Sequence, residues 1–155
     1  MWALRAALAA MALFVATAAQ AKESWSFSPP RKDEPTATLT LGEPEGEEST
    51  AIFSCKAQSG RIVIFIGETD ARLKPGRKIA ATLSAETARL QIEGKLLANE
   101  LAGVPSFEGE AAAADPFWEK VTGDLVATVG ASRVQLGRSK FADQLAKLRK
   151  ACARP

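Results

Sequence analysis

Hydrophobic and polar residues alternate along much of the chain, which is the pattern of half-buried β-strands. The strand-like segments are residues 36–41, 50–56, 61–66, 78–83, 88–92 with 95–97, 106–110, 124–129 and 132–136. Residues 24–28 alternate in the same way and are expected to add an edge strand within an extended, proline-containing arm, residues 22–35. The glycine within residues 106–110 is expected to form a bulge. The pattern therefore predicts about eight short strands.

Two segments depart from this alternation and predict helices. Asp115 and Pro116 open the first, because Asp caps helix N-termini and Pro suits the first helical position. Residues 138–151 change to a helical period, with Ser139 as the expected cap. The side chains predicted to face inward are Phe117, Trp118 and Val121 in the first helix and Phe141, Leu145 and Leu148 in the second.

These elements predict a mainly β fold. We expect an antiparallel sandwich or a partly open barrel, with a short helix and a C-terminal helix packed on it. Residues 36–155 are expected to form a single β-rich domain. The continuously apolar run at residues 61–66 predicts a central strand that is covered on both faces.

The first 21 residues have the pattern of a secretory signal peptide. Arg5 precedes an apolar, alanine-rich run, and Ala19-Gln20-Ala21 is the small-x-small pattern that a leader peptidase cleaves. The run is too short and too weakly apolar for a membrane-spanning helix. We therefore expect an exported protein, periplasmic or secreted, that has no membrane span.

Cys55 and Cys152 are the only cysteines of the chain. In an exported protein both thiols meet an oxidising environment, where such a pair is usually a disulfide. The spacing is not the C-x-x-C of redox-active pairs. A bond between them requires the C-terminal helix to dock on the sheet near the strand at residues 50–56.

Composition excludes several classes of function. The chain holds 20 Lys and Arg against 18 Asp and Glu, a net charge of +2, which does not favour nucleic acid as a partner. Histidine is absent, which excludes His-based catalytic triads and His-ligated metals. Nucleotide-binding glycine motifs are missing, and the acidic turn at residues 43–48 lacks the ligand pattern of a calcium loop. The sequence predicts no cofactor, no metal and no enzymatic activity.

Five residues are the candidates for a binding site. Large aromatic side chains dominate interfaces when they are exposed. Glu108 and Glu110 are two positions apart and leave the same face of a strand, so a carboxylate pair could serve glycan hydrolysis. The candidate binding residues are Trp25, Phe107, Glu108, Glu110 and Trp118.

The chain also resembles a known family, mainly over its C-terminal third. The features are an early tryptophan, a strand-borne cysteine and a late strand that runs into a Gly- and Phe-containing helix and a closing cysteine. In this sequence they are Trp25, Cys55, VQLGRSKFADQLAKL at residues 134–148, and Cys152. This combination resembles small exported alphaproteobacterial proteins of the invasion-associated locus B type. The resemblance implies a periplasmic, β-rich protein of the envelope or of host interaction, and it transfers no catalytic residues.

Three functional hypotheses follow, and the first is preferred. The chain is expected to be a non-catalytic exported protein that binds an envelope protein or a glycan. The first alternative is an inhibitor of a cell-wall hydrolase, because rigid, disulfide-locked loops lose little entropy on binding. The second alternative is a glycan-active enzyme that uses Glu108 and Glu110.

Overall fold

A computed structural model describes residues 23–42, 49–137 and 140–155. These residues form one antiparallel sheet of nine strands, curled into a half-barrel, in the order β1-β2-β3-β4-β7-β6-β5-β8-β9. The strands are β1 (Ser24–Ser28), β2 (Thr36–Gly42), β3 (Ser49–Lys56), β4 (Arg61–Ile66), β5 (Lys78–Ala85), β6 (Ala88–Leu97), β7 (Ser106–Ala112), β8 (Val126–Val129) and β9 (Ser132–Gln135). The predicted fold class is confirmed, in its partly open form.

The hydrophobic core lies on the concave face of this sheet. Every second side chain of a strand points to that face, and the largest fully buried ones include Leu39, Phe53, Ile64, Leu83, Ile92 and Phe107. The helix α1 (Phe141–Cys152) packs into the concavity against β1, β2 and β3. Its apolar side chains Phe141, Leu145 and Leu148 are all buried, as the helical period predicted.

The disulfide between Cys55 and Cys152 is confirmed, with Cα atoms 5.7 Å apart. Two backbone hydrogen bonds accompany it, because the N–H groups of Gln58 and Gly60 donate to the carbonyls of Ala151 (2.9 Å) and Cys152 (2.8 Å). The end of α1 is thereby fixed to the turn between β3 and β4, as the pairing required.

The short helix is also confirmed, as a 3₁₀ helix (Pro116–Lys120). The side chain of Asp115 caps it by accepting a hydrogen bond from the backbone N–H of Phe117 at 2.8 Å. The residue before α1 is Lys140, which is left-handed and provides no side-chain cap. The predicted cap Ser139 lies outside the described residues.

The prediction that β4 is covered on both faces is wrong. Arg61 is exposed, and Val63 and Phe65 are only half-buried, because no second layer covers the convex face. Their partners across the strand are charged: Val63 lies opposite Glu110 and Phe65 opposite Glu108. Val63 and Phe65 therefore stay partly accessible on the convex face, which carries no core.

The predicted glycine bulge in β7 is also wrong, since Gly109 pairs in regular register with Gly94 of β6 and with Ile64 of β4. Packing explains why Gly94 and Gly109 have no side chains. A Cβ added at Gly94 would lie 2.5 Å from the ring of Phe107, and one added at Gly109 would lie 2.8 Å from the same ring. The ring of Phe107 therefore occupies the space that side chains at these two positions would need.

Two sequence predictions fall on residues that the structure does not describe. They are the signal peptide at residues 1–21 and the acidic turn at residues 43–48. Within the described ranges, no helix has both the length and the apolar character that crossing a membrane requires.

Candidate functional site

A wide groove opens at one end of the half-barrel, where β3, β4 and β6 meet their connecting loops. Its volume is about 1150 Å³, and its walls come from the strand ends, the β4–β5 and β6–β7 loops and the edge strand β9. The larger apolar side chains that line it are Ile52, Phe65, Leu97, Leu101 and Val134. Leu101 is 78% exposed. Among the described residues, it is the one large hydrophobic residue that is exposed.

Hydrogen bonds hold the rim of this groove together. The hydroxyl of Thr69 donates to the carbonyl of Pro105 (2.7 Å). The carbonyl of Gly67 accepts from the hydroxyl of Ser106 (2.9 Å) and from the amide of Asn99 (3.0 Å). The β4–β5 and β6–β7 loops are therefore joined, and the groove has a preformed rim that loses little entropy on binding.

Asp70 ties the same rim to the turn between β8 and β9. Its carboxylate accepts two hydrogen bonds from the side chain of Arg72, at 2.7 and 3.0 Å, and one from the backbone N–H of Ala131 at 3.3 Å. The hydrogen bonds from the Arg72 side chain are the main reason why the pKa of Asp70 lies well below its ordinary value. Because the folded pKa is lowered, the stabilisation from this carboxylate is complete above about pH 4 and is lost as the pH falls further.

One wall of the groove is a free sheet edge. Among the described strands, β9 is the last of the sheet and its one partner is β8. The N–H of Leu136 donates to the carbonyl of Leu125 (2.7 Å), which fixes the alternation of hydrogen-bonded pairs along this hairpin. The backbone N–H and C=O groups of Arg133 and Gln135 consequently point away from β8, and both residues line the groove.

The structure places the three predicted aromatic site residues in the core. Trp25, Phe107 and Trp118 are all buried. The indole of Trp25 donates to the carbonyl of Leu136 (2.8 Å), and that of Trp118 donates to the carbonyl of Ala112 (2.8 Å). Satisfied indole groups on buried rings indicate a packing role.

The two predicted glutamates lie together on the convex face of β7, and neither lines the groove. Glu108 is 3.4 Å from the ammonium of Lys95, and Glu110 is 2.6 Å from the guanidinium of Arg61. Each carboxylate thus has a cationic partner on a neighbouring strand. The groove brings together none of the five residues that the sequence singled out.

The groove could not be predicted from the sequence, because its lining residues come from segments that are far apart in the chain. The one local signal was Leu101, a leucine in the loop that connects β6 and β7. The described residues contain no cluster of three or more side chains suited to hold a metal ion. Comparisons with protein-family models, with curated proteins and with solved structures find no match to the chain.

Proposed function

We propose that this is a non-catalytic, exported binding protein of the cell envelope, whose groove holds an extended segment of another envelope protein. The observation that carries the proposal is the exposure of Leu101 at a groove with a preformed rim. Leu101 shares this groove with Ile52, Phe65, Leu97 and Val134, and an exposed apolar patch with a polar rim is typical of an interaction site.

The chemistry of the groove favours a polypeptide partner. Its apolar centre, with Ile52 and Phe65, is surrounded by polar and charged residues such as Thr50, Asn99 and Glu68. This distribution is that of a protein interface, which has an apolar core and a polar rim. A glycan would bring hydroxyl groups to this apolar centre, where they would lose hydrogen bonds to water, so a glycan is the weaker partner.

The free edge of β9 favours an extended conformation for that partner. Arg133 and Gln135 line the groove, and their backbone donors and acceptors point away from β8, so an added strand would pair with them in regular register. Main-chain hydrogen bonds would supply affinity, and the apolar floor would accept alternate side chains of the bound segment.

Export has two supports, the predicted leader at residues 1–21 and the disulfide, which is typical of oxidising compartments. The resemblance to the invasion-associated locus B family agrees with a place in the envelope. Inhibition of a cell-wall hydrolase would be one form of such binding, in which the segment held in the groove belongs to the enzyme.

Replacing Leu101 with Asp is expected to weaken binding of the partner at least about tenfold, or about 1.4 kcal/mol, because a charge would enter the apolar contact. The partner would be recovered from periplasmic extract with the wild-type protein and its affinity then measured by calorimetry. Stability should stay unchanged, since the side chain is exposed.

Thr87→Asp is the matched control, because Thr87 is exposed in the β5–β6 turn and does not line the groove. It adds the same charge and should leave affinity unchanged. Equal affinity of wild type and the Leu101 variant would contradict the proposal.

A further inference from the structure

A second concavity lies at the opposite end of the half-barrel, beside the disulfide. Its volume is about 730 Å³, and it is formed by the end of α1, the start of β4 and the end of β7. The lining is four cationic residues and six residues with small side chains or none: Arg61, Arg149, Lys150, Arg154, Gly60, Ala112, Ala113, Ala114, Ala146 and Ala153. We call this concavity the cationic pocket.

Two of the arginines are held in place by the backbone around the pocket. The Nε of Arg149 donates to the carbonyl of Ala113 at 3.4 Å, and the side chain is only 26% exposed. The Nε of Arg154 donates to the carbonyl of Ser59 at 3.3 Å. The side chain of Arg154 lies over Gly60, where a Cβ would be 2.8 Å from its Nε. The disulfide fixes the end of α1 here and so positions both groups.

The charge at the cationic pocket is only partly balanced by acidic residues. Arg61 pairs with Glu110 at 2.6 Å, and Arg149 lies 3.6 Å from Glu119. No ion pair in the described part of the chain involves Lys150 or Arg154. No acidic residue lines the pocket itself, so its electrostatic potential favours an anion.

The remaining lining is apolar. Methyl groups of Ala112, Ala114, Ala146 and Ala153 are exposed around the cations, and none of them can donate or accept a hydrogen bond. A ligand that fills the pocket therefore needs a compact apolar part beside an anionic group. Arginine guanidinium groups bind carboxylate and phosphate oxygens in the same two-pronged geometry. A phosphate monoester carries a charge of about −1.5 to −2 at neutral pH, which makes it the favoured anion among several cations.

We propose that the cationic pocket binds a single amphiphile with a phosphate head group, the phosphate lying on Lys150 and Arg154 and the apolar part on the alanines. The concave shape favours one molecule over a bilayer surface, because a flat membrane would not reach the alanine floor. This inference is independent of the proposed groove, which lies at the other end of the sheet.

The test is calorimetric titration of the full, oxidised protein with octyl phosphate below its critical micelle concentration. We expect millimolar or tighter binding, with inorganic phosphate and octyl glucoside at least tenfold weaker. The double variant Lys150→Gln with Arg154→Gln should weaken octyl phosphate binding at least tenfold. Ala146→Phe should weaken it equally, because the ring would fill the apolar floor while every cation remains.

Lys147→Gln is the matched control, because Lys147 is exposed on α1 and lies outside the pocket. It removes one charge from the same helix and should not change the affinity. Four results would overturn the proposal. They are equal binding of inorganic phosphate, equal loss in the Lys147 variant, binding only to vesicles of anionic phospholipid, and no binding at millimolar octyl phosphate.

Discussion

Removal of the disulfide is expected to lower the free energy of unfolding by about 4–5 kcal/mol, because the closed loop is long. The bond joins residues separated by 97 positions, and it connects β3 to the end of α1. The double variant Cys55→Ala with Cys152→Ala would be compared with wild type by urea denaturation at neutral pH. A domain of this size is typically stable by about 5–15 kcal/mol, so the loss would be a large share of the total.

Reduced wild-type protein is the control for this variant, since it keeps both sulfur atoms in the core and lacks only the bond. The double variant and the reduced wild-type protein should be destabilised by similar amounts. A loss below about 1 kcal/mol in both would contradict a clamping role, because the native hydrogen bonds of Gln58 and Gly60 would then hold α1 without the bond.

Phe53→Ala is expected to cost about 3–5 kcal/mol of stability, the range for deleting a fully buried aromatic ring. Phe53 is completely buried on β3. Its ring centroid lies 5.4 Å from that of Trp25, 6.1 Å from that of Trp118 and 6.2 Å from that of Phe141. The ring therefore contacts β1, the 3₁₀ helix and α1, so its loss leaves a cavity where all three meet the sheet.

The matched control is Phe65→Ala on the neighbouring strand β4. Phe65 is half-buried on the convex face, so the same change should cost less than about 2 kcal/mol. Urea denaturation of both variants, monitored by tryptophan fluorescence, measures the difference in their free energies of unfolding. Equal costs would mean that the concave face does not carry the core.

The local elements could be predicted from the sequence because each depends on near neighbours. Alternation located the strands, and the cap of Asp115 located the 3₁₀ helix. The strand order was beyond such reasoning, because β4 pairs with β7 across the intervening β5–β6 hairpin. The apolar run in β4 misled for a related reason: its sequence does not show that its cross-strand neighbours on the convex face are the charged residues Glu108 and Glu110.

The groove and the cationic pocket, which we propose as binding surfaces, could not be predicted from the sequence for a different physical reason. The aromatic residues that composition favoured, such as Trp25 and Phe107, sit at inward positions of the alternation and are buried with their Leu and Ile neighbours. The groove and the cationic pocket each need residues from three or more elements, and only the fold brings those together. Cations at the end of α1 suit the helix dipole, and only the fold brings Arg61 beside them.

The claim that most needs testing is that a partner strand pairs with β9 in the groove. A photo-crosslinking residue would replace Ala98, which is exposed and lines the groove, in cells that export the protein, in Arg133→Pro and Arg133→Ala backgrounds. Proline removes the outward N–H of an edge strand, whereas alanine keeps it. We expect one discrete conjugate in the alanine background and its loss in the proline background. Equal conjugates in both, or none in either, would contradict the account.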